Sequence, residues 1–178
     1  MANETMSLIS TVTVGSGGAA SIDFTSIAGS FTDLVIKFSG RWTSSELNSV
    51  GVTLNSNGSG YTSRWLTGSG SGASSSNTTV GIGGYASLPG TAATSNTFSN
   101  IDIYFPNYAG STNKSFSADA VGENNATLAY QSIVANLWAN TAAITSISLN
   151  PFGGGTLAEY STASLYGIKS GSGGATVS

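Results

Sequence analysis

Side chains able to do acid–base chemistry are few and scattered along this chain. Eight carboxylates are present, Glu4, Asp23, Asp33, Glu46, Asp102, Asp119, Glu123 and Glu159, and histidine and cysteine are absent. Without those two there is no Ser-His-Asp or Cys-His triad, no zinc site of nitrogen and sulfur ligands, no disulfide framework and no thiol redox chemistry. The familiar hydrolytic device that remains is a pair of carboxylates facing each other across a sugar. Asp102 and Asp119 suit it best, since each takes the polar parity of an alternating segment and would meet a neighbour across a sheet. None of the eight sits in a recognisable motif, so solvated loop and strand-face carboxylates are the preferred reading.

A calcium site needs about six to eight oxygen ligands. Asp119, Glu123, Asn124 and Asn125 are locally rich in oxygen but lack the D-x-D-x-D-G spacing of an EF-hand. The segment from Gly122 to Asn125 reads instead as a hairpin turn. No metal ligand, cofactor or cofactor-binding residue is expected.

Aromatic side chains can form a platform on which a sugar stacks. Trp42 and Trp65 follow the apolar parity of their segments and Trp138 closes another, so core packing is expected of all three. Tyr61, Tyr85, Tyr104 and Tyr108 are read as freer: Tyr104 takes the polar side of its strand, and Tyr85 and Tyr108 fall in turns. These four are the candidate contacts for a glycan or a partner. The sequons at Asn57, Asn77, Asn113 and Asn125 occur at the rate that so many Ser and Thr residues produce by chance, and carry no inference.

The elements that must position these residues show a period of two, the spacing of strands buried on one face. Leu34, Ile36, Phe38 and Trp42 share one parity, with Asp33, Lys37, Ser39 and Arg41 on the other. The same alternation runs through Val50, Val52 and Leu54; Tyr61, Ser63 and Trp65; Val80 and Ile82; Ile101, Ile103 and Phe105; and Phe116, Ala118 and Ala120. From Thr127 to Trp138 both parities carry apolar residues, which predicts a central strand buried on both sides. Leu8 to Val14, Ser21 to Ile27, Ile144 to Leu149 and Ser161 to Ile168 complete about eleven candidate strands. Turns are marked by Asn55 to Gly58, Pro106-Asn107, Asn124-Asn125 and the break at Asn150 to Gly155. The Gly/Ser-rich stretch from Thr67 to Asn77 reads as a long exposed loop.

The predicted fold is all-β, an antiparallel two-sheet sandwich of jelly-roll type with about 8–11 strands. It occupies residues 8–169 as one domain, with residues 1–7 an N-terminal arm and 170–178 a Gly/Ser-rich C-terminal tail.

About half of the 178 residues are Gly, Ser, Thr or Asn, yet 39% are hydrophobic, 10% aromatic and only 7% charged, against the high charge of disordered chains. Five cations within a net charge of −3 are too few to neutralise a run of phosphates, which argues against a nucleic-acid partner. Apolar stretches are only a few residues long, so neither a membrane span nor a secretory leader is expected.

One further signal is a resemblance. The segment Ser95 to Ser117 (SNTFSNIDIYFPNYAGSTNKSFS), with Thr32 to Lys37, Glu123 to Thr127, Leu137 to Ile147 and the closing Ser164 to Ile168, resembles small virion structural proteins of tailed bacteriophages, particularly those of cyanobacteria and other aquatic bacteria. Together these pieces span most of Leu8 to Ile168. The resemblance carries no catalytic motif. It implies a non-enzymatic protein of the virion surface, made in the bacterial host cytoplasm. On it, the expected role is a capsid decoration (cement) protein that binds and stabilises the outer shell as a homo-oligomer, a trimer, with the major capsid protein as partner. The alternative is a short tail fibre or receptor-binding protein, set among tail or baseplate proteins and recognising a host glycan. A carboxylate-based hydrolase ranks third.

Overall fold

Burial in the segment Asp33–Gly40 follows its alternation residue by residue. Leu34, Ile36 and Phe38 are buried, while Lys37 and Ser39 face solvent. Such a strand has one apolar face to cover, and the chain covers it with a second sheet.

The computed structural model describes residues 5–44, 48–79, 83–123, 129–152 and 154–169. Its strands are β1 (Met6–Thr13), β2 (Ile22–Phe24), β3 (Asp33–Gly40), β4 (Asn48–Leu54), β5 (Tyr61–Gly68), β6 (Ala73–Thr78), β7 (Gly83–Leu88), β8 (Ser99–Phe105), β9 (Lys114–Glu123), β10 (Ala129–Trp138), β11 (Ile147–Pro151) and β12 (Thr162–Ile168). There is no helix among the described residues. The strands form two antiparallel sheets, one of eight in the order β1-β12-β3-β8-β9-β10-β5-β6 and one of four in the order β2-β11-β4-β7. The protein is an all-β two-sheet sandwich, as its alternation predicts.

The order has a simple generator. With the hairpins β5–β6 and β9–β10 set aside, the remaining strands pair first with last (β1·β12), second with second-last (β2·β11), third with third-last (β3·β8) and the middle two together (β4·β7). That is one long antiparallel double ribbon whose successive segments alternate between the sheets. The two hairpins are inserted between β4 and β7 and between β8 and β11, and they extend the large sheet beyond β8.

Between the sheets lies one core. The large sheet contributes Leu34, Ile36, Phe38, Ile101, Ile103 and Phe105, and the small sheet adds Ile22, Phe24, Val50, Val52, Leu54 and Leu149. Phe105 and Phe116 stack with centroids 4.9 Å apart. Edge strand β7 of the small sheet lies against β10, β9 and β5, so the inner side of the extension is covered as well. Trp138 is buried as expected, and Trp42 and Trp65 are partly buried against the core.

Several sequence expectations are corrected. Thr67 to Asn77 is not a loop: β5 runs to Gly68 and turns at Gly70-Ser71 into β6. Gly70 has φ +78° while Ser71 does not enter the left-handed region, the pattern of a type II′ turn, which needs glycine first. Strand β10 is not buried on both sides. Ser132, Val134, Asn136 and Trp138 face the core, whereas Ile133 is 59% exposed on the outer face. Asn150 and Pro151 belong to the end of β11, opposite Gly51 and Val50, so the break begins two residues later. Met6 and Ser7, assigned to an arm, pair with Ile168 and Gly167. The turns at Asn55 and Pro106-Asn107 are as read. Asn55 and Ser56 both take positive φ (51° and 54°), and Asn107 does too (47°). The expected strand at Val80 and Ile82, the turn at Asn124-Asn125 and the tail from 170 lie outside the described residues.

Candidate functional site

The outer face of the large sheet carries the carboxylates singled out in the sequence. Antiparallel register places Asp102 on β8 directly opposite Lys37 on β3 and, on its other side, opposite Asp119 on β9. Each therefore meets a neighbour across the sheet, as expected, and the two face one another, but Asp102 forms an ion pair with Lys37. The row continues from Asp119 to Ile133 on β10 and Leu66 on β5. Both partners of the ion pair are about half exposed, where such a pair contributes little to stability. Two carboxylates directly opposite repel modestly. Among the described residues no group of three or more His, Cys, Asp or Glu is close enough to hold a metal ion. Asn124, Asn125 and the side chain of Glu123 lie outside the described residues, so the calcium set is represented by Asp119 alone.

The four tyrosines separate. Tyr61 is not free: it is 2% exposed, its hydroxyl accepts the Leu54 backbone N–H at 2.8 Å, and its ring stacks on Trp138 with centroids 6.1 Å apart. Burial pushes its pKa up to about 12, with the Leu54 hydrogen bond opposing in part. Tyr108 is also fully buried, although it sits in a turn. Its hydroxyl donates to the Ala28 carbonyl and accepts the Phe31 N–H at 3.4 Å, pinning the segment before β3. Tyr85 lies in β7 rather than in a turn, and its side chain is outside the described residues. Only Tyr104 stands as read, on the outer face and 39% exposed. It donates to Asp33 Oδ2 at 2.8 Å, and that hydrogen bond, then burial and the nearby charge, raises its pKa. Asp33 Oδ1 accepts the Asn107 N–H as well, so the Tyr104 ring is held by the turn that follows its own strand.

Two cations are internal fasteners that the sequence did not single out. Lys114 is 2% exposed, and its ammonium donates to the carbonyls of Gly110 at 2.6 Å, Thr112 at 2.5 Å and Thr141 at 3.4 Å. Burial lowers its pKa. The guanidinium of Arg41 donates to the carbonyls of Ala93, Thr94 and Thr97 at 2.9–3.1 Å and ties down the loop between β7 and β8.

On the outer face of the small sheet is an open groove of about 280 Å³. Asp23 on β2, Ser148 on β11 and Thr53 on β4 form one row across its floor, with Thr25, Ser56 and Ser146 at its sides. Asp23 Oδ2 accepts the Ser21 hydroxyl at 2.6 Å, and the carboxylate shares the groove with Thr25, Thr53, Ser56, Ser146 and Ser148 as well as Phe24 and Ile147. A carboxylate among hydroxyls that both donate and accept matches the hydrogen-bonding needs of a polyol. The signal in the sequence was Asp23 alone between Ile22 and Phe24, since the rest of the groove comes from distant segments. Compared with protein-family models, curated proteins and solved structures, the chain matches none.

Proposed function

We propose that this chain is a non-enzymatic surface protein of a tailed-bacteriophage virion, a capsid decoration protein of jelly-roll fold that binds the outer shell as a homo-oligomer. The observation that carries the reading is the strand order. First-with-last pairing of a double ribbon that alternates between two sheets is what two Greek keys produce when rolled, and jelly rolls of this kind recur in viral capsid and lectin domains. The segments resembling phage virion proteins, from Thr32 to Lys37 and from Ser95 to Ser117, supply β3, β8 and the start of β9, the middle of the large sheet. Its broad outer face carries hydroxyls and apolar insertions at Leu8, Leu66 and Ile133 beside the charged row Lys37, Asp102 and Asp119, a mixture that suits contact with a protein partner. The test is addition of purified chain to capsids lacking it, followed by co-sedimentation and cryo-EM. Binding in numbers comparable with the major capsid protein is expected, and copy numbers far below that would sink the decoration role.

The groove at Asp23 favours a second reading, a tail fibre or receptor-binding protein that holds a host glycan there. Glycan-array binding lost on Asp23→Asn, together with antibody labelling at the tail, would select this reading over decoration.

A further inference from the structure

The large sheet ends in β6, a strand whose own residues carry none of the usual guards of an edge. Among the described residues, strand β6 has β5 on one side and no strand on the other. Its sequence, Ala73-Ser-Ser-Ser-Asn-Thr78, contains no charge and no proline, and its register with β5 has no bulge. Folded proteins normally blunt an open edge with lysine, proline, a bulge or great shortness. The other edges follow that rule: β1 has a register shift between Leu8 and Ser10, β2 spans three residues, and β7 lies against the large sheet with a shift at Val50/Val52 in its pairing with β4. Residues 73–77 are exposed, so β6 buries no face and is held mainly by its ladder to β5.

The register shows which backbone groups are open. Ser69 N–H donates to the Gly72 carbonyl at 2.9 Å, closing the turn as a hydrogen-bonded pair. Antiparallel pairs alternate between bonded and non-bonded, so Thr67↔Ser74, Trp65↔Ser76 and Ser63↔Thr78 are bonded. The N–H and C=O groups of Ala73, Ser75 and Asn77 therefore point away from β5 into the open edge.

We propose that β6 is a self-pairing edge, and that two copies of this chain join antiparallel through it about a two-fold axis at Ser75. A two-fold axis perpendicular to the sheet opposes residues of equal parity, and centring it on Ser75 makes Ser75↔Ser75, Ala73↔Asn77 and Asn77↔Ala73 all bonded pairs across the contact. Centring it on Ser76 or Ser74 loses one of these. The Ser75 register also runs one outer-face row from Ile133 and Leu66 through the two serines to Leu66 and Ile133 of the second copy. The occupant is a second copy because the neutral sequence of β6 meets itself without a charge clash, and its open backbone groups are self-complementary about Ser75. The contact is isologous, so its order is two rather than the trimer expected from the resemblance.

The full chain should sediment as a dimer. Ser75→Pro removes only an N–H that faces the open edge and should give a monomer with an unchanged circular dichroism spectrum, as should Ser75→Lys. Because the chain has no cysteine, Ser75→Cys gives an independent readout. Opposed residues of a bonded pair lie about 5.5 Å apart at Cα, within disulfide reach, so mild oxidation should cross-link Ser75→Cys and leave Ser74→Cys uncross-linked. A monomeric native chain, or an oligomer whose mass survives both Ser75→Pro and Ser75→Lys and in which Ser75→Cys does not cross-link, overturns the proposal.

Discussion

Tyr61→Phe tests the buried hydroxyl of the sandwich by two routes that differ in pH dependence. At neutral pH the substitution removes the acceptor for the buried Leu54 N–H and should cost about 1–3 kcal/mol. In alkali the native protein carries a second effect that the variant lacks. The phenol titrates at about 12 in the folded chain and at its ordinary value of 10.0 when unfolded. Above pH 10 the unfolded chain releases this proton while the folded chain keeps it, so native stability falls as pH rises from 10 towards about 12. With a limiting slope of about 1.36 kcal/mol per pH unit, the loss at about pH 11.5 is roughly 2 kcal/mol. Urea unfolding followed by tryptophan fluorescence reads it directly, because Trp138 stacks on Tyr61. The stability gap between native protein and variant should therefore narrow by roughly 2 kcal/mol between about pH 8 and about pH 11.5. Lys114 acts with opposite sign: its pKa is lowered on folding, so its contribution grows as pH rises through the window below its ordinary value. It is present in both proteins and cancels in the difference. A gap independent of pH would refute the reasoning, since it would mean that Tyr61 ionises in the fold as readily as in the unfolded chain.

Three further outcomes are expected. Lys114→Met should lower the free energy of unfolding in urea by roughly 2–4 kcal/mol, because the Gly110 and Thr112 carbonyls lose a charged donor in a buried site; a loss under about 0.5 kcal/mol would show that water replaces the ammonium there. Asp119→Asn should stabilise by about 0.2–1 kcal/mol in low salt and less in high salt, by removing a like charge opposite Asp102, and a salt-independent change would contradict that origin. Gly167→Ala should destabilise by about 1–3 kcal/mol in thermal melts, since the added Cβ would lie 2.3 Å from the Phe31 ring, and an unchanged melting temperature would mean that the ring can move aside.

How legible the fold was depended on what each strand packs against. Strands β3, β8 and β9 were readable because polar and apolar residues alternate over most of their length and one face meets the core. Strand β10 misled because period two reports apolar residues, not their burial. Ile133 is apolar on a solvent face where its neighbour across the ladder is Leu66, another exposed apolar residue, and a single sequence does not show that pairing. Strand β6 was invisible for the opposite reason: neither face is buried, so Ala73 to Thr78 has no alternation, and it is a strand only because the Gly70 turn returns the chain alongside β5. The tyrosines failed on the same ground. Tyr108 was placed correctly in a turn, but its ring fills the core and its hydroxyl fastens Ala28 and Phe31, some 80 residues away in sequence.

The scarcity of charge acquires a structural meaning from where the cations lie. Arg41 and Lys114 are buried and spend their donors on backbone carbonyls, and Lys37 is paired with Asp102. Arg64 bonds the Ser63 carbonyl, and Lys169 lies 5.7 Å over the Phe31 ring. A long-loop sandwich has many carbonyls that no ladder reaches, and a buried cation satisfies several at once. On the outer face of the large sheet the charges include the row Lys37, Asp102 and Asp119, near its middle, and Arg64 on β5, while β6 itself carries none. A neutral edge at β6 fits that distribution: charged flanks would oppose pairing, and here the row beside the edge runs through Ser75, Leu66 and Ile133 before it reaches Asp119. Low charge in this chain is thus most complete at the β6 edge, where it favours association through backbone and apolar contact over electrostatic steering.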